Sequence, residues 1–189
     1  MSFEDVNFYI LIVFYLIGSI PFALLVQKIL KTNDPRISGS RNPGATNMYR
    51  IAGPKAGAIT FLGDFFKGYF PILIVIDQGL SISYFYSFII LFGHMFSIFN
   101  KFNGGKGVAT SFGFLFAIDL NAGFIMILIW ITVFILMRIS GLSAIVSFMV
   151  LPAVIYYTVS TEYLYLLSIA HSLIILVNHR KNIRELLYS

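Results

Sequence analysis

Long apolar runs separated by short polar breaks make up most of the sequence. The runs are approximately Asn7–Val26, Ala56–Ile76, Ile82–Phe99, Val108–Ile118, Ala122–Met137, Leu142–Val159 and Tyr163–Val177. A helix needs about 20 residues to cross a bilayer, or about 17 at the lower end. Most runs approach that length, and they lack the in/out alternation of barrel strands. The pattern therefore predicts an all-α integral membrane protein.

The charged breaks between the runs predict the topology. Acidic breaks alternate with basic ones in the order Glu4/Asp5, Lys28 to Lys55, Asp77, Lys101/Lys106, Asp119, Arg138, Glu162 and Arg180/Lys181/Arg184. Basic loops stay on the cytoplasmic side of a membrane. Seven transmembrane helices, with the N-terminus outside and the C-terminus cytoplasmic, put all the basic loops on that side. A re-entrant Val108–Ile118 would instead move Arg138 outside.

The fourth of these helices, Val108–Ile118, is short and follows a glycine-rich loop. It either extends back through Gly105–Gly107 or lies where the membrane is locally thin. The chain has no internal repeat and no low-complexity linker, so we expect residues 1–189 to form a single polytopic membrane domain.

Composition agrees with a membrane protein and restricts its chemistry. Apolar residues make up 58% of the chain and charged residues 11%, and the mean hydropathy is +0.87. A soluble surface needs about a quarter charged residues. The lack of cysteine excludes thiolate zinc sites and a thioester intermediate on the protein. The net charge is +5, and the basic residues lie between the apolar runs. This arrangement indicates membrane topology and not nucleic-acid binding.

Polar residues collect on the predicted cytoplasmic side, first in a loop from Lys31 to Arg50. The loop combines hydroxyl, amide, glycine and arginine residues, among them Asn33, Arg36, Gly39, Ser40, Arg41, Asn42, Gly44, Asn47 and Arg50. Glycine lets backbone approach a ligand closely, and the guanidinium fork suits phosphate or carboxylate. A solvated, positively charged loop is the alternative interpretation, but such loops rarely concentrate so many small polar residues.

A second candidate segment is Phe102–Thr110, in which Gly104, Gly105 and Gly107 surround Lys106. Free N–H groups and the positive end of the helix dipole make a helix start favourable for an anion. A Walker A motif needs Ser or Thr at Gly107, so a nucleotide hydrolase is disfavoured. A flexible turn between helices remains the alternative.

Ionisable residues also interrupt the apolar runs. Asp64 and Lys67 lie three residues apart on one helix face, where they neutralise each other, contact a ligand, or do both. We expect His94 and His171 to be hydrogen-bonded packing residues.

The third candidate segment is the basic C-terminus. If it is helical, His179 and Asn182 share a face. The alternative interpretation of the neighbouring Arg180, Lys181 and Arg184 is that they only anchor the segment at lipid headgroups, and we adopt it for Lys181.

The three segments together suit phosphate binding at a membrane surface. Their acids are too few for metal hydrolysis, and the chain contains neither a G-x-S-x-G elbow nor an H-x₄-D motif. A lipid-phosphate transferase, an anion transporter and a non-enzymatic scaffold remain open. A transporter would have broken helices with polar residues near the midplane, whereas here the polar residues cluster at one face.

The three segments resemble those of the bacterial acyl-phosphate:glycerol-3-phosphate acyltransferases, the PlsY family. The motifs are Gly39-Ser-Arg-Asn-Pro-Gly-Ala-Thr-Asn47 with Arg50, Gly93-His94, Phe102-x-Gly-Gly-Lys-Gly-Val-Ala-Thr110 and His179-Arg-x-Asn-Ile. The resemblance covers essentially the whole chain and implies seven helices with cytoplasmic motifs. Arg41 stands where the family commonly has Gly, and Ser97 where Pro is usual.

The resemblance implies a reaction and a set of site residues. A fatty acyl group passes from acyl phosphate to the sn-1 hydroxyl of glycerol 3-phosphate, giving lysophosphatidic acid and phosphate at the bacterial inner membrane. The implied catalytic residues are Ser40, Arg50, Lys106, His179 and Asn182. The residues expected to bind substrate or phosphate are Arg41, Asn42, Gly44, Asn47, Lys67, Gly104, Gly105 and Gly107. No metal, organic cofactor or nucleic acid is implied.

Two routes for the hydroxyl proton are open. A substrate phosphate could accept it, or His179 could act as general base with a pKa near neutrality. A covalent acyl-Ser40 is disfavoured because no activating pair adjoins Ser40 in the sequence.

Overall fold

The computed structural model describes residues 7–159 and 161–188, and the regular elements within those ranges are all helices. The α-helices are α1 (Phe8–Ser19), α2 (Phe22–Leu30), α3 (Ala45–Val75), α4 (Leu80–Met95), α5 (Val108–Ile118), α6 (Leu120–Met137), α7 (Ser140–Thr158), α8 (Glu162–Asn178) and α9 (Arg180–Leu187). Short 3₁₀ turns follow α3 and α4. The all-α class predicted from the apolar runs is confirmed.

Five segments of the described chain are long and apolar enough to cross a membrane: Phe8–Leu30, Ala45–Gln78, Leu80–Asn100, Leu120–Met137 and Ser140–Thr158. The apolar helices α5 and α8 are shorter, at 11 and 17 residues. The short α5 agrees with the sequence, but its extension through Gly105–Gly107 is wrong. Gly107 has φ 91° and caps the helix start in the left-handed region, so the helix begins only at Val108.

The first apolar run differs from the single helix predicted over Asn7–Val26. It forms two helices, α1 and α2, which are separated at Ile20 and Pro21, and α2 continues to Leu30. Proline lacks a backbone N–H, and its ring clashes with the preceding helical turn. The helix therefore stops before Pro21 and restarts after it.

The predicted loop from Lys31 to Arg50 is also shorter than expected. Helix α3 begins at Ala45, so Asn47 and Arg50 lie in its first turns and not in a loop. The helix is interrupted at Gly53, whose φ is 84°, and resumes at Pro54. Proline suits the first position of a helix because its fixed φ is already helical.

Helix α5 is buried among the other helices and packs closely on α3. A side chain on Gly68 would collide with the Thr110 carbonyl, and one on Gly113 would collide with the Phe65 carbonyl. Small residues at such crossings let helix backbones approach closely, as is common in membrane bundles. The segment that precedes α5 is thereby held against the centre of the protein.

Candidate functional site

Three segments far apart in the sequence adjoin in the structure. We call residues 31–44 the serine loop, residues 96–107 the glycine loop and residues 179–188 the C-terminal segment. Arg36 Nη1 of the serine loop donates to Asn100 Oδ1 of the glycine loop at 3.1 Å. Lys106 Nζ of the glycine loop donates to Asn182 Oδ1 of the C-terminal segment. The glycine loop therefore connects the other two segments.

Lys106 lies half-buried against the C-terminal segment. Asn182 Nδ2 donates to Glu185 Oε2 at 3.4 Å, an arrangement that leaves the amide oxygen facing the Lys106 ammonium. Burial lowers the pKa of Lys106 below its usual range, the Glu185 carboxylate opposes that shift, and Lys181 reinforces it. Because burial disfavours the charged amine, an anionic ligand would relieve this cost.

His179 follows α8 and is only 2% exposed. Its Nδ1 lies 2.8 Å from the Ile175 carbonyl oxygen. A carbonyl can only accept, so Nδ1 carries the hydrogen and the neutral ring keeps an acceptor lone pair on Nε2. Burial lowers the pKa of His179 to about 4; the bond to Ile175 raises it and Lys106 lowers it. At neutral pH, His179 is therefore an uncharged hydrogen-bond acceptor.

Asn47 fixes the shape of the serine loop. Its Oδ1 accepts from the Ser40 backbone N–H at 2.8 Å, and its Nδ2 donates to the Pro35 and Ser38 carbonyls at 3.0 Å each. The side chain is buried, so these bonds are shielded from water. Asn47, expected from the sequence to bind substrate, has its amide occupied by the loop, and Ser40 is left on the exposed surface.

The three arginines of the predicted loop have different surroundings. Arg36 forms an ion pair with Asp34 at 2.6 Å, and that carboxylate raises the pKa of the guanidinium. The guanidinium groups of Arg41 and Arg50 are exposed, and neither has a hydrogen-bond or ion-pair partner within the described ranges. Arg41 has φ 59°, a conformation that favours glycine. Arg41 and Arg50 are thus the arginines left available to an anion.

Lys67, expected to bind phosphate, is in a buried ion pair. Its Nζ lies 2.8 Å from Asp64 Oδ1 and donates to the Ile20 carbonyl at 2.8 Å. Both charged side chains are at most 4% exposed. Of the two interpretations from sequence, mutual neutralisation is confirmed. A small cleft beside the pair is also lined by Pro43 and Gly104, so Lys67 borders both loops.

The other two histidines are hydrogen-bonded packing residues, as the sequence predicts. His171 is fully buried, with Tyr84 Oη 3.2 Å from Nδ1 and Ser111 Oγ 2.8 Å from Nε2. His94 Nδ1 lies 3.2 Å from Thr110 Oγ1. Neither residue contacts the cluster of Lys106, His179 and Asn182 through a hydrogen bond in the described part of the chain.

The structure brings some predicted site residues together and leaves others apart. Lys106, His179 and Asn182 form one cluster, whereas within the described residues the Ser40 and Arg50 side chains make no hydrogen bond to it. Of the remaining predicted binding residues, Gly105 and Gly107 are buried, whereas Asn42, Gly44 and Gly104 are half-buried at the loop surfaces. Across the described ranges, no group of His, Cys, Asp or Glu is arranged to hold a metal ion.

Two contributors to the site lack a local sequence signal. Asn100 joins the loops through Arg36, 64 residues away. Gly141 at the start of α7 lies under Asn182, so that a Cβ on Gly141 would be 2.8 Å from Asn182 Nδ2. Both contacts depend on how distant helices pack, which no motif in this chain expresses.

Comparison with known proteins gives a consistent result. A family model described as glycerol-3-phosphate acyltransferase matches residues 8–189. Relatives of that name include one from Nitrosomonas eutropha, 38% identical over 92% of this chain and 90% of its own, and one from Ruthia magnifica, 40% identical over 95% and 92%.

Solved structures with the same fold are also known. The chain is similar to the crystal structure of PlsY, an integral membrane glycerol 3-phosphate acyltransferase, in its glycerol 3-phosphate form, with a TM-score of 0.89 and 34% identity over 95% of this chain and 90% of that one. The lysophosphatidic acid form of PlsY gives a TM-score of 0.87 and 32% identity over the same shares.

Proposed function

The chain belongs to the PlsY family of glycerol-3-phosphate acyltransferases, and from this we propose that its acyl donor is a fatty acyl phosphate. The acyl group passes to the sn-1 hydroxyl of glycerol 3-phosphate. The products are lysophosphatidic acid and inorganic phosphate, and the reaction uses no metal or organic cofactor.

The contact between Lys106 and Asn182 is the observation that carries this proposal. It joins the glycine loop to a segment that offers a neutral histidine acceptor, while the serine loop and α3 supply the exposed guanidinium groups of Arg41 and Arg50. Two phosphorylated substrates need several cations and few nearby acids. An acyl phosphate is already activated, so orientation and electrostatic stabilisation are the main requirements on the protein.

The proposed roles divide between phosphate binding and orientation. Lys106 and Arg50 neutralise the substrate phosphates together with backbone N–H groups at the start of α5. Ser40, His179 and Asn182 orient the attacking hydroxyl and the acyl carbonyl. The further residues proposed to contact substrate are Arg41, Asn42, Gly44, Lys67, Gly104, Gly105 and Gly107. Asn47, expected from the sequence to bind substrate, instead shapes the serine loop through its amide.

The proton balance favours a substrate phosphate as the base. The sn-1 oxygen forms a bond to the acyl carbon, the bond from that carbon to the phosphate oxygen breaks, and the hydroxyl proton ends on the released phosphate. General bases work best with a pKa near the working pH. A pKa of about 4 makes His179 a poor base at neutral pH. We therefore assign His179 Nε2 to hold glycerol 3-phosphate through its other hydroxyl, which leaves the single sn-1 hydrogen to pass to the phosphate.

The proposed topology has seven crossings, with the N-terminus outside and the C-terminus in the cytoplasm. The alternating charge of the breaks supports it, as do the five long spans together with α5 and α8. This topology puts the three segments on the cytoplasmic face of the bacterial inner membrane, where glycerol 3-phosphate would be available.

The proposal is tested with purified protein in detergent, palmitoyl phosphate and glycerol 3-phosphate. We expect phosphate release matched by formation of lysophosphatidic acid, measured by mass spectrometry. Parallel reactions contain palmitoyl-CoA or palmitoyl-acyl carrier protein. Turnover with either of these, without turnover on acyl phosphate, would overturn the donor assignment.

A second arm addresses transport, because the break between α1 and α2 is a feature that transporters share. Protein in liposomes is given labelled glycerol 3-phosphate without an acyl donor. We expect no uptake above that of empty liposomes. Uptake without acyl transfer would replace the enzyme proposal with a transporter.

A further inference from the structure

His94, at the end of α4, lies directly against the glycine loop. Its carbonyl accepts from the Gly105 N–H at 3.2 Å, and the Met95 carbonyl accepts from the Gly104 N–H at 2.9 Å. A Cβ on Gly105 would collide with the imidazole at Nε2, and one on Gly104 would collide with the His94 carbonyl. The two residues before Lys106 therefore rest on the backbone and the ring of His94.

The other side of the His94 ring is held by a buried polar network. Nδ1 lies 3.2 Å from Thr110 Oγ1 and 3.5 Å from Asp64 Oδ1. Asp64 pairs with Lys67, whose ammonium also donates to the Ile20 carbonyl. The network thus extends from the break between α1 and α2, through α3, to the first turn of α5.

This network does more than neutralise two buried charges, because it lies against the glycine loop. A buried ion pair contributes little net stability, because the desolvation of both charges offsets their attraction. Here the pair and its hydrogen bonds fix one imidazole against the loop that carries Lys106. Thr110 also follows Lys106 by four residues. His94 therefore contacts residues that precede Lys106 in the sequence and a residue that follows it.

We infer that Asp64, His94 and Thr110 are positioning residues that hold the glycine loop in its phosphate-binding geometry. They act through the backbone of Gly104 and Gly105 and do not touch the substrate. The inference rests on the proposed function of the glycine loop, and it gives the buried polar groups of α3 and α4 a role in substrate binding.

A matched pair of substitutions on α5 separates positioning from stability. Thr110 and Ser111 are adjacent, fully buried hydroxyl residues, and each contacts one buried histidine. Thr110→Val removes the contact to His94 with little change in shape, whereas Ser111→Ala removes the contact to His171. Thr110→Val leaves His94 Nδ1 with Asp64 alone, and Ser111→Ala leaves His171 Nε2 without its hydroxyl. Both variants are therefore expected to lose thermal stability in detergent.

The kinetic readout is kcat/KM for each phosphorylated substrate. Thr110→Val should lower it about tenfold for at least one substrate, mainly through KM, because a displaced loop loses charge-assisted contacts. Ser111→Ala should stay within about twofold of wild type. Thr110→Ser keeps the hydroxyl and should restore most of the loss. Equal losses in Thr110→Val and Ser111→Ala would overturn the inference.

A second readout does not depend on acyl transfer. Hydrogen–deuterium exchange of peptides covering residues 101–107 reports whether the glycine loop is held. We expect exchange at Gly104 and Gly105 to rise about tenfold in Thr110→Val and to stay unchanged in Ser111→Ala. Unchanged exchange in Thr110→Val would refute the positioning role. Absence of acyl transfer in wild type would refute the proposed function alone.

Discussion

Two polar clusters in this protein, each built around a buried histidine, use that histidine in opposite ways. His171 has a hydroxyl at each ring nitrogen, from Tyr84 and Ser111, and lies among aromatic rings such as that of Phe148, whose centroid is 5.1 Å away. His179 donates from one ring nitrogen to the Ile175 carbonyl near the end of α8. It keeps the other nitrogen as a hydrogen-bond acceptor beside Lys106.

The difference between the two clusters teaches how to separate structural from functional polar groups. In the first, hydrogen-bond partners occupy both ring nitrogens of His171, so folding leaves neither nitrogen available to a ligand. The second combines the His179 acceptor, the Lys106 ammonium and the Asn182 amide, and these groups can still form hydrogen bonds to a ligand. Burial and residue type alone do not distinguish the two, since both histidines are at most 2% exposed.

The largest predicted effect is that of Lys106→Ala. Loss of a charge-assisted contact to a substrate phosphate is expected to lower kcat/KM at least about 100-fold. Lys101→Ala is the matched control, because Lys101 lies in the same loop and is exposed; it should stay within about twofold. Steady-state phosphate release measures both. Near wild-type turnover in Lys106→Ala would place the functional cluster elsewhere.

Arg50→Ala should lower kcat/KM at least about tenfold, because its exposed guanidinium is available to a phosphate. Arg50→Lys should recover only part of this loss, since the ammonium lacks the bidentate fork. Lys55→Ala, an exposed cation on the same helix, serves as the control. If Arg50→Lys recovers full turnover and Lys55→Ala loses as much as Arg50→Ala, Arg50 contributes only general positive charge.

Tyr84→Phe tests the cluster around His171. It removes the partner of His171 Nδ1 and should cost about 1–3 kcal/mol of stability, seen as a lower melting temperature in detergent. Turnover should change by less than about twofold. Tyr157→Phe, at a residue 79% exposed, should leave the melting temperature unchanged. A large loss of turnover in Tyr84→Phe would break the comparison between the clusters.

The smallest expected effect is the response of His179 to pH. Its folded pKa of about 4 lies below the ordinary 6.5. The unfolded chain therefore binds this proton more readily, and the stability that His179 contributes is lost as pH falls from 6.5 toward 4. NMR of histidine-labelled protein should show a neutral ring with hydrogen on Nδ1 above about pH 5. His179→Gln identifies the resonance, and titration near 6.5 would contradict the assignment.

Much of the fold was predictable because apolar length is a local property. The run Ala122–Met137 became α6 with the same end, and the short run Val108–Ile118 became α5 with the same bounds as the run itself. The break at Pro21 was not predicted, since proline is tolerated within membrane helices when neighbours satisfy the freed groups. Here the distant Lys67 satisfies the Ile20 carbonyl.

The candidate site was predictable in its residue types but not in its contacts. The motifs identified Lys106 and Asn182, which meet 76 residues apart. They could not separate Arg36, whose guanidinium is paired with Asp34, from Arg50, whose guanidinium is unpaired within the described residues. Whether a guanidinium is available to a ligand depends on the side chains that surround it in the folded protein. The residue type alone does not predict those neighbours.

The interruption between α1 and α2 has a consequence for engineering the protein. The Ser19 and Ile20 carbonyls, which the interruption releases from helical hydrogen bonding, accept from Ser97 and Lys67. A generic hydrophobic leader sequence would present an unbroken helix and withdraw both oxygens from these donors. Replacing this amino-terminal segment should therefore succeed only when the replacement keeps the interruption.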